Sequence, residues 1–257
     1  MYDYRKIKEE LAQEYLCYSP KSANLQESAK EVMIDGGNHA LRLIQPFPPR
    51  IRAAKGAYID DIDSHHILDF WQGHHANILG HNPEVITSKL ADAFTNHWGL
   101  ISGFTDEIQV EVAELFCQQT GCEKVRFTTS GTLATMYAML LSKAFTGRDI
   151  VLKVGGGWHG AQPWGLKGVS YHTNSSLGFQ AVESDGLHET IGREIIVTRF
   201  NQPDLLTEIF QKYGDRIACF IIEPFIGAGG LMWATKDFIH TARELTTKHG
   251  SILIFDE

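Results

Sequence analysis

Continuous apolar strands alternating with amphipathic helices predict an α/β fold built on a mostly parallel sheet covered on both faces. Three observations carry this expectation. The runs Ile150-Val151-Leu152-Lys153-Val154, Ile195-Ile196-Val197-Thr198, Ile217-Ala218-Cys219-Phe220-Ile221-Ile222 and Ser251-Ile252-Leu253-Ile254-Phe255 are almost wholly apolar, as strands buried on both sides are. Between them, residues 203–213 and 236–249 carry apolar side chains at helical spacing. The length, 257 residues, suffices for one large α/β domain plus a smaller appendage.

Residues 1–31 are rich in charge and amide groups, and Ile7, Leu11 and Tyr15 fall at helical spacing, predicting an amphipathic helix packed on another element. Asp35-Gly36-Gly37-Asn38 is a turn signal, and Pro46, Pro48 and Pro49 enforce extended backbone. Short strands are expected from Ile51 to Phe70, where Ala57-Tyr58-Ile59-Asp60 and His66-Ile67-Leu68-Asp69-Phe70 flank the polar turn Asp61-Ile62-Asp63-Ser64. Asn82-Pro83 opens a helix over residues 84–94, and a second covers 107–119, ending near Gly121. Val125-Arg126-Phe127-Thr128 reads as a strand, and residues 132–145 as a helix closed by Gly147. Residues 166–192 lack a clear period and read as a long loop, a place where function often resides.

Composition narrows the function classes. Hydrophobic residues make up 43% and charged residues 21%, so a sizeable core is available. The net charge is −8 and no long basic run occurs, which argues against nucleic acid and anionic membranes as partners. No apolar run approaches the roughly 20 residues that span a bilayer, and the start, Met1-Tyr2-Asp3-Tyr4-Arg5-Lys6, has no signal-peptide apolar stretch. Cys17, Cys117, Cys122 and Cys219 are scattered, with no second pair at metal spacing, and read as reduced thiols in a cytoplasmic protein. The 12 histidines are not organised as ligands, so no metal site is expected.

Four motifs sit at strand ends, where open α/β sheets bind ligands. Thr129-Ser130-Gly131-Thr132 precedes a helix, whose first N–H groups and dipole suit a phosphate; the same text is also an ordinary Ser/Thr cap. Gly155-Gly156-Gly157-Trp158-His159-Gly160 lets backbone approach a ligand and offers an aromatic ring to stack on a flat heterocycle, or else buries Trp158 in the core. Glu223, in Ile222-Glu223-Pro224, could tune a site or brace a neighbouring loop. Asp256, in Ile254-Phe255-Asp256-Glu257, lies where a ligand nitrogen would lie; ionised, it would keep a pyridine nitrogen protonated and improve an electron sink. Its bland reading is a solvated chain end.

Taken in order, these landmarks resemble the class III aminotransferases, and the local text is most similar to glutamate-1-semialdehyde aminomutase-like proteins. Ser130-Gly131-Thr132-Leu133-Ala134-Thr135-Met136 resembles the family's SGTEATM, Ile78-Leu79-Gly80-His81-Asn82 its ILGHN, and Phe145-Thr146-Gly147-Arg148-Asp149 its YTGRD. The resemblance covers about residues 33–257. It implies the type I fold of pyridoxal-phosphate (PLP) enzymes, aspartate aminotransferase-like and truncated on its C-terminal side. It also implies an N-terminal arm and small-domain segment over 1–70 and an incomplete PLP-binding domain over 71–257. The cofactor implied is pyridoxal 5'-phosphate. Ser130, Gly131 and Thr132 would hold its phosphate, Trp158 would stack on its ring in the place of the family's Tyr or Phe, and Asp256 would pair with its pyridine nitrogen. His159, Asn201 and Glu223 complete the implied cofactor set; Asn201 matches an asparagine near the phenolic oxygen. Arg42 is the implied partner of a substrate carboxylate, which a guanidinium fork suits, and His74 occupies a second substrate position. A small-molecule amino donor and acceptor and a homodimer are the implied partners.

Three departures bear on the substrate: Leu133 replaces the family's glutamate, His74 the aminomutase's tryptophan, and His39 a serine before Arg42. The family's Schiff-base lysine follows the Phe-Asp-Glu motif and is not among these residues; Lys153 and Lys167 lie near motifs but do not follow the Asp256 strand. The expectation is therefore a parent enzyme that transaminates through pyridoxamine phosphate, with these residues alone inactive as a fragment. The alternative is a non-enzymatic binding or regulatory protein of the same fold. No Walker A sequence supports another nucleotide-phosphate enzyme.

Overall fold

A computed structural model describes residues 3–38, 42–98, 103–169 and 186–257. The chain divides into two compact units, Met1–Gln109 and Val110–Glu257.

In the first unit the single amphipathic helix expected over 1–31 is two helices, α1 (Tyr4–Tyr18) and α2 (Pro20–Val32). The break is chemical: Pro20 lacks an N–H and fits only the first turn of a helix, so it starts α2. Asp63 completes that start, accepting the Lys21 and Ser22 N–H groups at 2.7 and 2.9 Å and the Ser22 hydroxyl at 2.6 Å. Partial burial opposes ionisation of Asp63, but these hydrogen bonds outweigh it and hold the carboxyl below its ordinary value. A 3-10 turn (Ile34–Gly36) follows at the expected turn signal. The expected strands form an antiparallel sheet in the order β1 (Ile51–Lys55), β2 (Tyr58–Asp61), β3 (His66–Leu68). A short turn, α3 (Gln72–His75), leads to α4 (Glu84–Thr95), which Pro83 caps as expected. Between them Gly80, at φ 78°, lies so close to Gly56 that a Cβ there would sit 2.8 Å from the Gly56 carbonyl oxygen. His81 bridges Gly56 through backbone bonds and meets Asp69 at 2.7 Å.

The second unit holds the parallel sheet. α5 (Glu107–Thr120) leads toward it, and α6 (Gly131–Thr146) ends where expected, at Gly147 in the left-handed region. Then follow β4 (Ile150–Val154), α7 (Glu189–Gly192), β5 (Ile195–Thr198), α8 (Pro203–Tyr213), β6 (Ile217–Ile222), the ribbon β7 (Phe225–Ile226) and β8 (Met232–Trp233), α9 (Lys236–His249) and β9 (Ile252–Phe255). The sheet order is β5-β4-β6-β9, and every pair is parallel. Ile150, Leu152, Phe220 and Ile222 pack one face against Leu206, Ile209 and Phe210 of α8 and Phe238 and Ala242 of α9. Val151, Cys219 and Ile221 pack the other against Met139 of α6. The expected two-sided cover is therefore present.

The sequence expectation fails at residues 125–128, which form no strand. A strand needs a hydrogen-bonding neighbour, and no described strand lies beside this one; Phe127 instead meets Phe116 edge to face at 6.5 Å. The ribbon β7–β8 was not anticipated, because two-residue strands leave no periodic signal. In the loop read over 166–192, one turn, α7, is ordered; residues 170–185 lie outside the described residues.

Lys167 is fully buried, and its ammonium donates to the carbonyls of Gly192 at 2.7 Å and Ile195 at 3.0 Å. Burial pushes its pKa down from 10.5 to about 8. The folded chain thus releases this proton while the unfolded chain keeps it, so stability from this group rises between about pH 8 and 10.5. Denaturant titrations of the wild type and Lys167→Met across that window should show the wild type gaining stability relative to the variant; a flat or falling difference refutes the assignment.

Candidate cofactor site

The carboxyl ends of the four parallel strands carry the candidate motifs. β4 lies between β5, the next strand in sequence, and β6, so the connections diverge there. Such a switch point leaves a crevice beyond the strand ends, and residues 155–160 occupy it.

That segment is tied to all its neighbours. Gly160, at φ 83°, rests on the start of α6: a Cβ there would lie 2.6 Å from the Thr132 Cα and 2.5 Å from its Oγ1. Only glycine allows this approach in this conformation. The buried Thr135 hydroxyl lies 2.7 Å from the His159 carbonyl oxygen. Trp158 donates its backbone N–H to Glu223 Oε1 at 2.7 Å, and Glu223 Oε2 accepts the Gly227 N–H at 3.0 Å. From below, Lys153 donates to the carbonyls of Gly157 at 3.1 Å and Gly165 at 2.8 Å.

Ser130 caps α6, its hydroxyl accepting the Leu133 N–H at 3.3 Å. The helix's earlier N–H groups have no partner within the helix. A Cβ added at Gly131 would meet nothing within 4 Å, so open space lies beside those groups. Asp256 follows β9 in register with β6, its N–H bonded to the Ile222 carbonyl at 3.0 Å. Its Oδ2 lies 2.8 Å from His159 Nδ1, while 23% of the side chain stays accessible. An ionised Asp256 requires the proton on Nδ1, so His159 donates to it. The His159 ring is fully buried, and its Nε2 has no hydrogen-bond partner among the described residues. Trp158 keeps 39% exposure at the same edge.

The structure thus brings Ser130, Gly131, Thr132, Trp158, His159, Glu223 and Asp256 to one edge of the second unit. Asn201 sits at the end of β5 in a left-handed conformation, φ 57°. Its amide is used at both ends: Nδ2 donates to the Trp233 carbonyl at 3.0 Å, and Oδ1 accepts the Thr235 N–H at 2.8 Å. Asn201 and Glu223 therefore act as braces between loops. Arg42 and His74 belong to the first unit. Arg42 is exposed; His74 lies in α3, where Gln72, Gly73, His74 and His75 all have positive φ, and its ring is 4.5 Å from Trp71. His39 lies outside the described residues. Sequence reasoning missed the support given by Lys153 and Thr135: a lysine inside an apolar strand was the one available signal. Among the described residues no group of three or more His, Cys, Asp or Glu could hold a metal ion.

An α/β unit with a helix N-terminus, an aromatic ring and carboxylates at the ends of its parallel strands has the fold of the PLP-dependent aminotransferases. Residues 43–257 match the aminotransferase class-III family, and the chain belongs to it. It is 35% identical over 237 residues to the glutamate-1-semialdehyde 2,1-aminomutase of Thermoplasma volcanium, covering 92% of this chain and 55% of that protein. To the enzyme of the same name from Thermosipho melanesiensis it is 34% identical over 235 residues, covering 90% and 54%. A solved transaminase with PLP bound superposes with a TM-score of 0.84 at 29% identity, covering 91% of this chain and 54% of that one. The β-phenylalanine aminotransferase of Variovorax paradoxus does so with a TM-score of 0.82 at 26% identity, covering 96% and 53%. The chain spans about half the length of the curated relatives it matches.

Glu223→Ala removes the acceptor of two backbone N–H groups. It should cost about 0.5–1.5 kcal/mol for each hydrogen bond lost and selectively deprotect the Trp158 and Gly227 amides in hydrogen exchange. Unchanged exchange at both amides contradicts the bracing role.

Proposed function

We propose that this chain provides the cofactor-binding framework of a PLP-dependent enzyme that transfers or migrates an amino group. The observation that carries the reading is segment 155–160, which joins the open N-terminus of α6 to Asp256 through Gly160 and His159. The space beside Gly131 suits a phosphate, and the accessible carboxylate of Asp256 suits a protonated pyridine nitrogen.

Each residue then has a physical task. Ser130, Gly131 and Thr132 hold the phosphate with N–H groups and hydroxyls at the positive end of α6. Trp158 covers the ring and excludes water from one face. Asp256 holds a proton on the pyridine nitrogen, and His159 fixes the carboxylate that does so. PLP, when bound, supplies the electron sink for bond breaking at the amino carbon. Glu223 and Asn201 keep the loops in place. Arg42 recognises a substrate carboxylate, and His74 lies on the substrate side.

The substrate class is an amino acid or amino-aldehyde. The replacements Leu133, His74 and His39 argue for an aminomutase-like aminotransferase rather than for glutamate-1-semialdehyde itself. A cytoplasmic homodimer completes the reading, supported by family membership; among the described residues no helix is long and apolar enough to cross a membrane. Lys153 and Lys167 are bound to backbone carbonyls, so neither is assigned to the cofactor.

Titration of PLP into the purified chain, followed by tryptophan fluorescence and equilibrium dialysis, tests this. Binding should saturate. Pyridoxal without its phosphate should bind at least about tenfold more weakly, and Asp256→Ala should weaken PLP by about tenfold, or ~1.4 kcal/mol. Borohydride treatment should leave no cofactor mass on Lys153 or Lys167. Equal affinity for PLP and pyridoxal sinks the phosphate assignment, and an adduct on Lys153 sinks the lysine assignment.

A further inference from the structure

We propose that Cys117 and Cys122 form a redox-active dithiol that closes to an intrachain disulfide, a modification site joining the last turn of α5 to the coil that leads to the Ser130 motif. The inference stands independently of the cofactor reading.

The two sulfurs are 3.6 Å apart. Backbone geometry makes them neighbours. Gly121 takes the left-handed conformation, φ 73°, and its N–H bonds the Cys117 carbonyl at 2.9 Å, which turns the chain back over the last turn of α5. The contact of Phe127 with Phe116 holds the following coil against the same helix. A disulfide needs an S–S distance of about 2.0 Å, so the sulfurs must close a short gap across a turn that already faces them together. Both thiols are partly accessible, whereas Cys219 is buried on β6 against α6 and Cys17 has no sulfur neighbour described.

The chemistry distinguishes the two. Burial and the neighbouring Cys122 push the Cys117 thiol above its ordinary value. The Thr120 hydroxyl lies 3.1 Å from Cys122 Sγ, placed to donate to that sulfur. That contact makes Cys122 the attacking sulfur. It displaces one thiolate from a low-molecular-weight disulfide such as oxidised glutathione, forming a mixed disulfide. Cys117 then loses its proton to water and attacks the Cys122 sulfur, expelling the second reagent thiolate. Two protein S–H groups become one S–S bond, and the reagent is reduced to two thiols. The closed bond fastens the end of α5 to the coil that reaches Ser130 eight residues after Cys122.

The test uses the 257-residue chain with Cys17→Ser, treated with oxidised glutathione, alkylated under denaturing conditions and digested with trypsin. Residues 90–124 contain both cysteines and no internal Lys or Arg, so they emerge as one peptide. The expected peptide is lighter than the reduced one by about 2 Da and carries neither alkyl group nor glutathione. Cys117→Ser should instead trap glutathione on Cys122. Phenylarsine oxide, which condenses with two close thiols and releases water, reads proximity without oxidation. It should bind one equivalent to the reduced chain and lose that binding in Cys117→Ser and in Cys122→Ser, each checked for native circular dichroism. Full alkylation of both cysteines after oxidant, glutathione retained on each, or no arsenical capture by the folded chain overturns the proposal.

Discussion

One carboxylate, that of Glu223, accepts the backbone N–H groups of Trp158 and Gly227 at 2.7 and 3.0 Å, and the strand-end edge of the second unit depends on it. Neither N–H lies in a helix or sheet ladder, so without Glu223 two donors near the protein surface would compete for water and the loops bearing them would lose their register. The carboxylate can do this because β6, the strand before it, is buried along its whole length and hydrogen-bonded on both sides. Rigidity generated by apolar packing is thereby passed to a loop that has none of its own.

Lys153 does the complementary work. Its ammonium, buried on β4, takes the carbonyls of Gly157 and Gly165, while Glu223 takes N–H groups from Trp158 and Gly227. Segment 155–160 is thus bracketed by a cation on its acceptors and an anion on a donor, which is how a glycine-rich stretch keeps one conformation despite the freedom of its backbone. A buried ammonium is costly unless its donors are matched; here the carbonyls supply the match. The cost is tolerable because the loop it fixes is the one that seats Gly160 on Thr132 and His159 on Asp256.

The parallel strands and helices α6, α8 and α9 were legible in the sequence because burial on two faces imposes apolar runs and helical packing imposes a period. The residues gathered at the strand ends were legible because ligands of open α/β sheets lie there. What could not be read was pairing. Residues 125–128 have the composition of a strand but no described neighbour, and composition carries no information about neighbours. Glu223 read as tuning a site or bracing a neighbouring loop and Asn201 as a cofactor neighbour, but the atoms they bond, on Trp158, Gly227, Trp233 and Thr235, are partners set by tertiary folding. The proximity of Cys117 and Cys122 likewise depends on one left-handed glycine, and spacing alone does not distinguish a helix that continues from one that reverses.

The same physics separates the cofactor question from the substrate question. The proposed cofactor residues stand on rigid strand ends and a helix cap in one unit, so their identities are constrained by backbone geometry: Gly160 cannot carry a side chain, and the residue capping α6 must accept an N–H. The candidate substrate residues Arg42 and His74 stand on short turns in the other unit, where Gln72, Gly73, His74 and His75 all adopt positive φ. A left-handed turn of non-glycine residues costs roughly 1–2 kcal/mol per residue, so its side chains are held by local contacts such as that of Trp71 with His74 rather than by a strand. Turns of this kind accept replacement without disturbing the sheet. That is the physical reason a chain can keep Ser130-Gly131-Thr132 and Asp256, the proposed phosphate cap and pyridine partner, while departing from the family's text at His74, and why substrate preference is expected to diverge before cofactor chemistry does.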